Sequence, residues 1–237
     1  MFDAQFHALS WRCRVVRYDL HGFGRSGTPD RAYSHHAALH ALLQHLGIDR
    51  PALLGMSLGA GVALDYALTY PGRVTALALL AAGIGGYRVS DATVALGAPI
   101  AEAFQMGDFA RAIEPTVRIW FDGRLRRPEE VDQAVRERFR EMCTDMLRRS
   151  RDGLRGPEPL DPPAVARLRE IDVPTLVVVG AGDIPDILDQ ADLLERSIAG
   201  ARKVVLPRVA HLLNMERPDE VNRIVLEFLE EHLAAVA

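Results

Sequence analysis

The chain has 237 residues, enough for one domain, or a core with an insertion, to bury a sizeable apolar interior. Its 28 Lys and Arg against 32 Asp and Glu leave a net charge of −4, so no basic field exists to hold nucleic acid or an anionic membrane, and a small molecule is the expected partner. Cys13 and Cys143 stand far apart with no CxxC or His-Cys spacing, which argues against a zinc site or a disulfide framework; residues 1–30 show no signal segment or long apolar span, so a soluble cytoplasmic protein is expected.

In chain order, RVVRYDL (14–20) reads as the first strand. A helix follows, opened by Ser34 and closed by Gly47, with Leu39, Leu42, Leu43 and Leu46 on one face. PALLGM (51–56) is a second strand; it runs into LLGMSLGAG (53–61) and then a helical run to Tyr70. RVTALALLA (73–81), PTLVVVG (174–180) and KVVLP (203–207) are further strands, apolar on both faces as buried parallel strands are. The last helix, from Pro218, carries the stripe Val221, Ile224, Val225, Phe228 and Leu229. Alternating strands and helices imply an α/β core with a mostly parallel sheet.

The alternation stops between GIGGY (83–87) and GLRGPEPLDPP (153–163), two turn-rich stretches of hinge composition. Helical patterns with apolar faces lie between them, which places a core over 1–83 and 164–237 and a helical cap insertion with linkers over 84–163. Pro99, Pro115 and Pro128 are expected to interrupt the cap helices. The Arg-rich tract from Arg124 to Arg155 is interleaved with acids, including Glu129, Glu137 and Glu141, and reads as a solvated helix surface.

Chemistry centres on Ser57. A GxSxG string is weak evidence alone, but here it ends a buried strand and opens a helix, where a nucleophile elbow must sit. Gly55 and Gly59 are expected to be small because a side chain would strike the adjacent strand and helix, with Ala60 and Gly61 extending that packing. Serine needs a base, and imidazole has the pKa for it near neutrality. Of eight histidines, His35, His36, His40 and His45 fall on or beside the first long helix and suit surface or packing roles. His36 and His40 are spaced i,i+4 without an HExxH glutamate, so no metal is expected, and no cofactor motif is present. His211 follows the strand KVVLP by a short loop, at a strand's carboxyl end. Asp183, in VVVGAGD, occupies the equivalent loop after the preceding strand, with Asp186 as rival acid and helix capping as the alternative role for Asp183.

These strings resemble the α/β-hydrolase superfamily. DLHGFGRS (19–26) matches its DxxGxGxS loop, GMSLG (55–59) its elbow, YPGRV (70–74) its YPxRV, GAGD (180–183) its acid loop and AHLLNMERP (210–218) its histidine loop. The resemblance implies Ser57 as nucleophile, His211 as general base, Asp183 as the acid that orients it, and the Leu58 N–H as one oxyanion donor. The second donor normally sits on a loop after an earlier strand. Only one helix separates HGFG (21–24) from Ser57, so that loop and its strand are expected to precede Met1, leaving a slot between 14–20 and 51–56 unless those strands pair directly. The expected activity is hydrolysis of a small, largely apolar ester or lactone through an acyl-enzyme. The alternative is a non-catalytic, N-terminally shortened relative with an incomplete oxyanion hole. Phe104, Trp120, Phe121 and Met142 are the candidate pocket residues, and the oligomeric state is open.

Overall fold

A computed structural model of the chain describes residues 1–149 and 156–233. Its centre is a four-stranded sheet: β1 (Ala52–Met56), β2 (Ala76–Leu80), β3 (Thr175–Gly180) and β4 (Arg202–Leu206), all parallel and adjacent in that order. The register sets Gly55 beside Leu79 and Leu80 beside Val178. ALALL and TLVVVG are buried at every position, as central strands covered on both faces must be. The run KVVLP differs from its expected full burial. β4 is an edge strand, with Arg202 and Val205 exposed.

The helices that cover the sheet follow the apolar stripes. α2 (His35–His45) is bounded by Ser34 and by Gly47, whose φ of 64° continues the chain in the left-handed region glycine tolerates. It stacks on α3 (Leu58–Thr69), which lies on β1 and β2. α7 (Pro185–Ser197) packs on β3 and β4, the short α8 (Leu213–Glu216) leads into α9 (Pro218–Leu233), and α9 packs near β2 with the N-terminal α1 (Asp3–Ser10) against it. No helix among the described residues is long and apolar enough to cross a membrane.

The segment 14–20 departs from its strand expectation. Among the described residues it pairs with neither β1 nor any other strand, and Arg14, Val16, Arg17 and Tyr18 are exposed while Val15 touches the core. Alternation reports which side chains meet an apolar surface, whereas a strand also requires a neighbour for its N–H and C=O groups. Direct pairing with β1 therefore does not occur.

Between β2 and β3, in the stretch expected to form a cap, come α4 (Asp91–Gln105), α5 (Phe109–Val117), a widened π turn at Arg118–Asp122, and α6 (Gln133–Arg149). Pro99 and Pro115 lie inside α4 and α5 rather than ending them, and the π turn begins at Arg118, just after α5 ends at Val117. Ala103 and Ala112 join α4 to α5 in a small apolar cluster with Ile100, Ile113 and Phe109. The arginine tract is not all solvated surface. Arg136 is buried, donating to Asp122 Oδ1 at 2.8 Å and to Glu114 Oε1 at 2.5 Å, and Arg118 donates to Asp122 Oδ2 at 2.9 Å. Residues 150–155 of that tract lie outside the described residues.

Candidate active site

Ser57 sits between β1 and α3 with φ 50° and ψ −116°, a conformation a non-glycine residue adopts only when its surroundings impose it. They do so from both sides. Ser57 N–H donates to Leu80 O at 2.9 Å, and Ser57 O accepts from Gly61 N–H at 3.1 Å and Gly83 N–H at 3.2 Å. A Cβ on Gly55 would lie 2.3 Å from Gly59 O, and one on Gly61 would lie 2.7 Å from Gly83 O, so both glycines are required by close backbone approach. Gly59 is different. A Cβ there would meet nothing within 4 Å, which corrects the expectation that it is small for steric reasons. Leu58 opens α3, so its N–H is one of the donors a helix leaves without an intrahelical acceptor.

Asp183 and His211 lie on the loops after β3 and β4, at the same carboxyl rim as Ser57 after β1. Asp183 is fully buried. Its Oδ1 accepts from Ile184 N–H at 2.8 Å and its Oδ2 lies 2.8 Å from His211 Nδ1. The carboxylate thus combines the capping role with the orienting one. In the tautomer that carries its proton on Nδ1, the ring donates to this carboxylate and turns Nε2 away from it. The ring's hydrogen bond runs to Asp183, and Ser57 Oγ forms none with it.

The rival acid is committed elsewhere. Asp186 Oδ2 accepts from Ser90 N–H at 2.8 Å, at the start of the cap. Burial works to raise its pKa, but hydrogen bonding, chiefly from Ser90, outweighs that and holds the carboxyl below its ordinary value. Gln190, one turn further along α7, accepts from Ile84 N–H at 2.7 Å, so α7 secures the hinge behind the acid loop.

The four apolar cap candidates separate. Trp120 lies against His211, ring centroids 4.5 Å apart. Phe121, its neighbour, is fully buried and stacked on Phe139, and offers no surface to a ligand. Phe104 packs edge-on against Phe109 and is 39% exposed, while Met142 is partly buried on α6. The helix-borne histidines pack: His40 stacks on Tyr70 at 4.0 Å, and His35 is buried, where desolvation and then repulsion from His21 and His36 lower its pKa. Among the described residues no group of three or more His, Cys, Asp or Glu is placed to hold a metal ion.

Comparisons with known proteins bear on the family and the fold. A family profile described as "Alpha/beta hydrolase family" matches residues 1–224. A 2-hydroxy-6-oxononadienedioate/2-hydroxy-6-oxononatrienedioate hydrolase from Burkholderia vietnamiensis is 29% identical over 220 residues, which cover 91% of this chain and 76% of that protein. The crystal structure of a hydrolase from Pseudomonas aeruginosa superposes with a TM-score of 0.73 at 31% identity, covering 97% of this chain and 84% of that one. An esterase from Exiguobacterium antarcticum shares the fold, with a TM-score of 0.77 at 22% identity over 97% of this chain and 86% of its own.

Proposed function

The chain belongs to the alpha/beta hydrolase family, and from that premise we propose that it is a serine hydrolase acting on a small, largely apolar ester or lactone. The observation that carries the reading is the buried Asp183–His211 hydrogen bond of 2.8 Å on the rim where Ser57 is held at positive φ.

In this reading Ser57 Oγ attacks the acyl carbon while His211 Nε2 takes its proton. The developing oxyanion meets the Leu58 N–H at the start of α3, where the helix dipole also favours negative charge. His211 then returns the proton to the leaving group, giving an acyl-enzyme that water cleaves by the same relay. Asp183 keeps Nδ1 protonated throughout and stabilises the imidazolium. The indole of Trp120 supplies an apolar wall beside the base, which supports an apolar substrate. Cytoplasmic residence, in keeping with the unpaired Cys13 and Cys143, belongs to the same reading.

Carbon–carbon bond hydrolysis is the second reading, favoured by the name of the Burkholderia relative. The test is labelling with a fluorophosphonate probe, followed by turnover of short-chain esters, lactones and an oxo-dienedioate. Labelling is expected in the parent and absent in Ser57→Ala. Equal labelling of both would refute the serine mechanism, and turnover of the dienedioate alone would decide for the second reading.

A further inference from the structure

The strongest unassigned arrangement lies beside the site rather than in it. Arg126 follows the π turn of the cap and is only 13% exposed at its side chain, facing Glu216 at 7%. Its guanidinium is fully engaged. Nη1 donates to Glu216 Oε2 at 2.5 Å and to Arg208 O at 3.0 Å; Nη2 donates to Glu216 Oε1 at 3.0 Å and to Phe121 O at 2.6 Å; Nε donates to Asp122 O at 2.9 Å. Glu216 Oε1 also accepts from Ala210 N–H at 3.2 Å. One forked pair therefore joins the backbone of the 121–122 turn to the backbone just before His211, at Arg208 and Ala210, and through Glu216 itself to the short helix that follows His211.

The neighbouring residues make the same connection. Gly123 comes so close that a Cβ would lie 2.6 Å from Gly182 O and 2.7 Å from the Ala210 Cβ. Arg124 Nε donates to Asp183 O at 3.1 Å. Trp120 rests on the imidazole itself. A single stretch, 120–126, thus abuts both the acid loop and the histidine loop.

We propose that Arg126 and Glu216 are positioning residues for the general base: their largely buried fork fixes the 208–216 loop, and so the direction of His211 Nε2, against the segment 120–126. A bidentate Arg–carboxylate pair suits this task because it sets angle as well as distance, and burial removes the water that would weaken it. The proposal rests on the reading of His211 as base.

The test uses the full chain with Trp11→Phe as background, so that Trp120 is the sole indole. Protonation of His211 beside it should quench its emission, and the resulting pH titration should vanish in His211→Gln. Glu216→Gln keeps the size and the acceptor for Ala210 N–H but loses the charged fork. It is expected to lower kcat by about 10- to 100-fold with KM within about threefold, as misplacement of a reacting group does, and to change the midpoint or amplitude of the Trp120 titration. Arg126→Lys keeps charge without the fork, carries the same expectations, and stands in should Glu216→Gln fail to fold. A role in stability alone would lower the melting temperature and leave the titration and kcat in place; that result overturns the proposal. Loss of activity in Ser57→Ala and His211→Gln with full activity in Glu216→Gln would refute the fork while sparing the serine mechanism. Full activity in His211→Gln would refute that mechanism instead.

Discussion

Asp183 Oδ2 lies 2.8 Å from His211 Nδ1, and the other carboxylate oxygen is held by Ile184 N–H at 2.8 Å, so the acid has one orientation in which to present itself to the ring. Asp183→Asn preserves the shape but replaces an acceptor by a group that also offers N–H, which favours the wrong imidazole tautomer. Steady-state hydrolysis should show kcat lower by on the order of 10⁴-fold, with the protein still folded. A loss below tenfold would remove Asp183 from the mechanism.

The elbow glycines should respond oppositely to alanine. Gly55→Ala drives a methyl to 2.3 Å from the Gly59 carbonyl, which is backbone and must move, so a loss of about 2 kcal/mol or more in urea unfolding is expected. Gly59→Ala enters open space at the start of α3 and should change stability by under about 1 kcal/mol, on the favourable side. The reverse ranking would mean that the elbow is packed differently.

Asp122 has no exposed surface, and its carboxylate receives Arg136 Nε at 2.8 Å, Arg136 Nη2 at 3.0 Å and Arg118 Nη1 at 2.9 Å. Asp122→Ala leaves the buried Arg136 guanidinium with only the half-exposed Glu114 carboxylate to face and should cost about 3 kcal/mol. Asp122→Leu combined with Arg136→Leu should cost clearly less than the two single changes summed, measured by the same denaturation. Additive losses would show that the pair acts as two independent groups.

Asp65, on α3, provides a pH signature. Burial raises its carboxyl from 3.8 to about 6, and its Oδ1 is buried without a hydrogen-bond partner. Because the folded state holds this proton more tightly than the unfolded chain, stability contributed by the neutral acid is complete below about pH 4 and is lost as pH rises through about 6. Asp65→Asn should therefore be more stable than the parent at pH 7.5 by on the order of 2 kcal/mol, the full shift discounted for partial exposure, with the gain gone near pH 4. A pH-independent difference in urea midpoint would contradict this.

What the sequence discloses depends on how local the signal is. The bounds of α2 are legible at Ser34 and Gly47, and the Asp183–His211 contact follows from two loops at equivalent ends of adjacent strands. The segment 14–20 shows the limit: its apolar residues are real, but pairing depends on a neighbour that no string of seven residues specifies. Trp120 and Phe121 carry the same apolar signal side by side. The π turn sends one to His211 and the other into the core, and a helical period cannot foresee that. Arg126 looks like one more solvated charge because its partner, Glu216, is 90 positions away. Spacing along a helix finds i,i+4 pairs and is blind to such distant ones.

The close seating of Gly123 against Gly182 and Ala210 bears on any attempt to transplant the cap. Chimeras that exchange the whole insertion for that of a relative would bring a foreign floor beneath the imidazole along with the new walls. Donor junctions placed after residue 126 would leave 118–126 native, and so allow the rest of the insertion to be rebuilt without disturbing the surface on which the His211 ring rests.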